Sequence, residues 1–244
     1  MSKITCYYTN RDIHRNPTLQ KSIYLKNLLN KVYWRKFIMK VLLINGSPNQ
    51  YGCTYTALTE ITKVLNTHDI ETEILYLGKK AIPGCIACSS CFETGKCICD
   101  DKVNELVEEL DNIDGIIIGS PVYFSSASGQ LTSFLDRLFF IAGSRMATKL
   151  GASIVSCRRG GATATFDQLN KYFSISNMPI VSSQYWNQVH GFTPEDVMKD
   201  EEGLQTMRTL GENMAWLLKC ISAGKKSGIK EPQYEEKVMT NFIK

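Results

Sequence analysis

What the chain lacks narrows the reading first. No apolar run reaches the roughly 20 residues needed to cross a bilayer. No stretch strings a charged segment, an apolar segment and a small-residue cleavage site together as a secretory leader does. Histidine is scarce, at three residues, and His14 and His68 have no neighbours in sequence that suggest a ligand role. There is no internal repeat and no low-complexity tract. A P-loop is absent as well. In "NGSPNQYGCT" (45–54), five residues separate Gly46 from Gly52, and Cys53 stands where the motif requires lysine. The missing lysine argues against nucleoside triphosphate chemistry. The dinucleotide fingerprint G-x-G-x-x-G is missing too. These absences leave the expectation of a soluble, cytoplasmic protein with no membrane span.

The chain has 244 residues, which suits one large domain or one domain with additions. With 43% hydrophobic and 21% charged residues it is ordinary for a globular protein. Its net charge of +4 misleads. Residues 1–38 carry eight Lys or Arg against the single Asp12, a balance of +7, which leaves −3 for residues 39–244. The basic character belongs to the leader, so it is no sign that the body binds nucleic acid.

Three segments are expected. Residues 1–38 form a basic extension outside the core, 39–223 the domain, and 224–244 a polar tail. The extension places Leu19, Ile23, Leu28, Leu29 and Val32 at roughly helical spacing between basic residues. It reads as an appendage without function, as an extra helix on the body, or as a basic amphipathic helix for a membrane or partner.

From Met39 onward, strands and helices alternate. Buried strands are expected at 40–45, 71–77, 114–121, 151–157 and, in "PIVSSQ", at 179–184. Helices are expected at about 54–66, 102–110, 129–141, 163–173 and 202–220. This is the pattern of an α/β fold, a five-stranded parallel sheet with helices on both faces. Ligands of such sheets bind outside the carboxyl ends of the strands, so the loops there carry the chemistry.

Three loops stand out. The first, 45–54, has two glycines for a tight turn, the hydroxyls of Ser47 and Thr54, and a helix N-terminus behind it. It suits one phosphate, or is a plain capped turn. The second, "GSPVYFSSASGQL" (119–131), presents Tyr123 and Phe124. They await a planar ring or pack on the next helix. The third, "SCRRGGATAT" (156–165), offers two arginines and the backbone of Gly160 and Gly161, for a polar ligand or for solvent. All three fall on one edge of one sheet. The stretch 182–191 adds aromatics and His190, for a flavin or for an interface. Asp100 and Asp101 read as cap and dipole partners of the helix they precede.

"PGCIACSSCFETGKCICDD" (83–101) holds five of the nine cysteines. Without a secretion signal, such a cluster argues for metal or redox use over a disulfide framework. Cys85, Cys88, Cys91 and Cys97 read C-x2-C-x2-C-x5-C, with Gly95 giving slack in the last gap. Three readings stay open: a [4Fe–4S] cluster, a four-thiolate zinc site, or a loop without metal that carries reactive thiols. Cys99 is a spare.

"KVLLINGSPNQYGCT", "GSPVYFSSASGQLTSFLDR" and "SCRRGG" together resemble the flavodoxin-like, NADPH-dependent FMN reductase family over about residues 39–221. The resemblance implies a flavodoxin-like fold and FMN. It places the phosphate at Ser47, Pro48, Asn49, Gly52, Cys53 and Thr54. The ribityl chain and ring fall at Ser120, Pro121, Val122, Tyr123, Phe124 and Ser125, and the pyrimidine end at Arg158, Arg159, Gly160 and Gly161. It also implies a homodimer or homotetramer. The cysteine run is similar in position and spacing to that of the iron–sulfur flavoproteins, a subgroup of the family. FMN does the chemistry in such proteins, so no catalytic acid or base is expected. The expected function is an FMN-dependent oxidoreductase or electron-transfer flavoprotein. It exchanges electrons with a small-molecule or protein donor or acceptor, through a [4Fe–4S] cluster if one is held. The alternatives are an NAD(P)H-dependent flavin, quinone or azo-compound reductase without a cluster, and a zinc- or flavin-binding module without turnover. Deleting residues 1–38 is expected to leave flavin content per chain unchanged. A colourless deletion protein would place the leader inside the fold.

Overall fold

A computed structural model describes residues 39–242, so the expectations for residues 1–38 lie outside the described residues. The elements in order are β1 (Lys40–Asn45), α1 (Cys53–Thr67), β2 (Glu71–Tyr76), the single turn α2 (Cys91–Thr94) and α3 (Lys102–Glu109). They continue with β3 (Gly115–Pro121), α4 (Gly129–Ala142), β4 (Leu150–Cys157), α5 (Ala162–Ile175), β5 (Gln188–His190), α6 (Pro194–Val197) and α7 (Glu201–Lys226).

The five strands pair in parallel in the order β2-β1-β3-β4-β5. Every residue of β4 is buried, and β3 is buried up to Pro121, which explains their nearly unbroken apolar sequences. Alternate side chains feed two separate cores. Leu42, Ile44, Ile116, Ile118, Val155 and Cys157 join one cluster with α3, α4 and α5. Val41, Leu43, Ile117 and Ile154 are equally buried outside that cluster. They face the side where α1 packs on α7. There the helix backbones run close, because a Cβ on Gly211 would lie 2.9 Å from that of Val64. No described helix is long and apolar enough to cross a membrane.

One strand is displaced from its expected place. "PIVSSQ" contributes only an isolated bridge from Ile180 to Gly151, and the fifth strand forms at Gln188–His190. Between them the ladder is interrupted. The Asn187 side chain donates to the Ser153 carbonyl at 3.1 Å, so a side-chain amide takes a β4 acceptor that a strand N–H would otherwise occupy. Ser183 holds that amide by donating to its Oδ1 at 2.7 Å. The last helix also outruns its expected end. It continues through Lys226, so residue 223 falls inside a helix, and residues 229–242 form no helix or strand.

Gly151 marks where strand and helix approach most closely. An added Cβ would sit 2.5 Å from the ring of Phe173, which is fully buried on α5. Gly151→Ala is expected to cost about 1–3 kcal/mol through overpacking, read as a lowered urea midpoint. An unchanged midpoint would show that α5 can shift away at no cost.

Candidate functional site

β1 is hydrogen-bonded on both sides, to β2 and β3, and the chain leaves it in opposite directions. That is the topological switch point of this strand order, where a crevice opens at the carboxyl ends. The first loop fills it. Fully buried Asn45 holds the loop from below: its Oδ1 accepts from the Ser47 N–H at 3.1 Å and its Nδ2 donates to the Gln50 carbonyl at 3.0 Å. The Tyr76 hydroxyl donates to the Pro48 carbonyl at 2.7 Å, and the Asn49 N–H donates to Ser47 Oγ at 3.1 Å. Gly52 opens α1 with no side-chain cap, and the first turn holds no acid. The free N–H groups and dipole of a 15-residue helix therefore face the loop, as an anion requires. The Thr54 side chain is not part of that face. It is 1% exposed, and its hydroxyl bonds to Ser156 Oγ at 2.9 Å. Only its backbone remains for a phosphate.

The second loop is strained at its tip. Tyr123 and Ser126 exchange both backbone hydrogen bonds at 2.9 Å, and the two residues between them, Phe124 and Ser125, have φ of 52° and 58°. This is a type I′ turn, which favours Asn-Gly at those positions. A phenylalanine there costs on the order of 1 kcal/mol or more. Phe124 does not recover that cost by packing, since it is fully exposed, and Tyr123 is half exposed. Neither aromatic is buried against a helix. Ser120 is fully buried and occupied within the loop: its Oγ donates to the Pro121 carbonyl at 2.8 Å and accepts from the Ser128 N–H at 3.0 Å.

The three loops are stitched together. Ser128 Oγ donates to the Gly46 carbonyl at 2.6 Å, which joins the second loop to the first. Gly161, at φ 89°, lies so close to Ser125 that a Cβ would meet its Oγ at 2.7 Å and its Cα at 3.0 Å. Gly161 also opens α5 without a side-chain cap, a second bare helix N-terminus on this edge. Arg158 and Arg159 are exposed and have no acidic partner among the described residues. Tyr185 and Trp186 contact each other at 4.9 Å, each about half exposed. His190 donates its backbone N–H to Asp200 at 2.6 Å.

The cysteines are elsewhere. Cys85, Cys88, Cys91, Cys97 and Cys99 all line one concavity, floored by Arg137, Phe140 and Ile141 of α4. Arg137 stands two turns beyond the start of α4, about 12 Å along the axis. The cavity lining includes no residue of the three sheet-edge loops. Ala87 and Ser89 sit between successive cysteines at φ 52° and 61°, so the backbone kinks there twice. Gly95, at φ 69°, caps the single turn α2 and reverses the chain toward Cys97, using the slack expected of it. Asn104 then clamps Cys97 by both backbone groups, at 2.8 and 3.0 Å.

Sequence reasoning missed Arg137. Its side chain is 1% exposed, and all five of its N–H groups are used. Nε donates to Cys97 Sγ at 3.2 Å. Nη1 and Nη2 form a fork on Asp101 at 2.7 and 2.9 Å. The remaining two reach the carbonyls of Pro83 at 3.4 Å and Cys99 at 2.9 Å. Burial opposes its charge, but the bonds to Asp101 and Cys97 outweigh that and hold its pKa above the usual value. Asp101 also caps α3 as expected, accepting from the Val103 N–H at 3.0 Å. The available signal was a lone cation at the flank of the apolar stripe Leu131, Phe134, Leu135 and Leu138.

The donor set fits a cluster. Desolvation, with the like charges of Cys88, Cys85 and Cys97, pushes the Cys91 thiol up against the opposing pull of its own backbone N–H. The Ser90 backbone N–H and hydroxyl pull the Cys88 thiol down. Yet among the described residues no three Cys, His, Asp or Glu side chains are close enough to share one metal ion. A zinc site needs all its sulfurs about 2.3 Å from a single ion. A cubane binds one thiolate at each of four irons, so its ligands surround a volume. The cysteines here line a cavity without three of them converging on one point.

The profile of the NADPH-dependent FMN reductase family matches residues 39–193. An iron-sulfur flavoprotein of Methanocaldococcus jannaschii is 36% identical over 191 residues, covering 75% of this chain and 99% of that protein. One from Methanosarcina thermophila is 26% identical over 187 residues, covering 75% and 97%. Among solved structures, a flavodoxin from the domain Archaea superposes at TM-score 0.52 with 15% identity, covering 74% of this chain and 99% of that one. RosB with a bound flavin-type intermediate superposes at 0.61 with 12% identity, covering 84% and 92%. These two support the fold alone. The family match over more than half the chain, together with the close archaeal relative, decides the identity: this chain belongs to the NADPH-dependent FMN reductase family and is a flavodoxin-like, FMN-dependent oxidoreductase.

Proposed function

We propose that the protein is an electron-transfer flavoprotein that holds FMN at the sheet edge and a [4Fe–4S] cluster on Cys85, Cys88, Cys91 and Cys97. One observation carries this reading: four cysteines of a single loop line one cavity, on a chain whose switch-point crevice ends in an uncapped helix N-terminus suited to a phosphate. The names of its archaeal relatives support it.

Bound FMN would supply the redox chemistry, exchanging electrons singly or in pairs. This chain's residues do the holding. The bare first turn of α1, with Ser47, Pro48, Asn49, Gly52, Cys53 and the Thr54 backbone, takes the phosphate. Pro121, Val122, Tyr123, Phe124 and Ser125 line the ribityl chain and ring, and Ser120 braces that loop. Gly160 and Gly161 offer backbone N–H groups to the ring's pyrimidine end, beside Arg158 and Arg159. Phe124 covers the ring, which gives its strained, solvent-exposed conformation a purpose.

A second reading rests on the arginines. Two exposed guanidiniums without acidic partners suit an anionic donor such as NADPH. Hydride delivered directly to the flavin would then need no cluster. The exposed aromatics Tyr185, Trp186 and Phe192 support a homo-oligomer. The eight described cysteines, all unpaired, suit a reducing compartment such as the cytoplasm.

Two measurements test the reading. Anaerobic purification followed by quantification of iron, sulfide, zinc and FMN should give about four irons and four sulfides per flavin, as a cubane on four thiolates requires. One flavin without iron would return the cysteines to thiol chemistry and favour the NADPH reductase. Separately, Phe124→Asn with Ser125→Gly should stabilise the flavin-free protein by about 1 kcal/mol while weakening FMN binding roughly tenfold, about 1.4 kcal/mol. Unchanged FMN affinity would remove Phe124 from the site.

A further inference from the structure

Arg137 is a buried cation that the flavin site does not use, and each of its contacts falls on the cysteine loop. Its fork on Asp101 fixes the plane of the guanidinium. Nη1 and Nη2 also reach Pro83, two residues before the first cysteine, and Cys99, two after Cys97. One side chain therefore holds both ends of the motif. With that plane fixed, Nε has no freedom, and its N–H points at Cys97 Sγ, 3.2 Å away. Asn104 meanwhile pins the Cys97 backbone on both sides. The sulfur and its donor are thus set independently, by α3 and by α4. The pairing does not involve the exposed cysteines Cys85 and Cys88.

A hydrogen bond donated to a cluster thiolate stabilises the state with more negative charge, which is the reduced one; the charge of Arg137 is itself balanced by Asp101, so the donated N–H carries the effect. Hydrogen bonds to the sulfurs, net charge and exposure set the potentials of such clusters. Second-shell partners of metal ligands act in the same way. Cys97 is also better shielded from solvent than Cys85 and Cys88, so the interaction acts where screening is weaker.

We propose that Arg137 is a positioning residue for electron transfer: its fixed Nε–H donates to the Cys97 thiolate and raises the reduction potential of the cluster bound there. The inference rests on the cluster reading above and adds to it a residue outside the cysteine motif.

The test is a redox titration of the anaerobically reconstituted full chain, following cluster and flavin separately by visible and electron paramagnetic resonance spectra. Iron and sulfide are counted in each preparation. In Arg137→Met the cluster potential should shift to more negative values while the flavin potential stays put. Arg137→Lys, which retains a charge but not the fixed fork, should fall between Met and wild type and serves if the Met variant does not fold. Full iron content with a wild-type cluster potential in either variant would overturn the proposal and leave Arg137 a structural clamp only. A parallel shift of cluster and flavin would also overturn it, as general loosening. Iron missing from the wild type would sink the cluster reading itself, and with it this inference, a result distinct from an unshifted potential.

Discussion

The placement of β1 between two parallel partners is the constraint from which the sheet-edge crevice follows. With β2 on one side and β3 on the other, the crossovers leave in opposite senses, and no helix covers the crevice above the carboxyl end. The first loop must then satisfy its own backbone. It does so through buried Asn45, Ser47 and Tyr76 rather than through a side-chain cap on α1. The bare helix N-terminus is the result of that choice. The second and third loops close around it because Ser128 bonds to Gly46, and because Gly161 has no side chain to keep Ser125 away.

The cysteine cavity obeys a different logic. It lies between the cysteine loop and α4, and a single ion pair organises it. Arg137 is buried but Asp101 is 30% exposed, so removing one partner is expected to cost less than the roughly 3–5 kcal/mol of a fully buried pair. The fork on Asp101 thus anchors the loop more firmly than any contact made by the exposed cysteines themselves. Of the seven described non-glycine residues at positive φ, four lie in these two loops, Ala87 and Ser89 between cysteines and Phe124 and Ser125 at the sheet edge, while Asp69, Thr148 and Asn177 lie elsewhere.

Much of this was legible before any coordinates. Apolar runs ending in Gly or Pro place β1 and β3, and helical periodicity places α1 and α4, because tertiary packing reinforces what those segments already favour. Asp101 as a cap and Gly95 as a reversal were readable from residue type and position alone. "PIVSSQ" was not. It carries the composition of a strand, yet the edge of the sheet accepts it only at Ile180, because Asn187 reaches across to Ser153 instead. Nor could the sequence say that the Thr54 hydroxyl turns inward to Ser156, a partner 102 residues away.

What the sequence by itself determined is the set of local instructions: strand and helix periods, glycine turns, the spacing of Cys85, Cys88, Cys91 and Cys97, and the motifs of the FMN reductase family. Each depends on neighbours a few residues apart, so each can be read along the chain. Only the tertiary structure decided which of these meet. It put three loops on one crevice, set the cysteines apart from them along α4, and buried Arg137 against Asp101 and Cys97, 36 and 40 residues away. The reason is physical. A charge is buried only where its partners converge in space, and that convergence is set by helix packing on a sheet rather than by spacing in sequence.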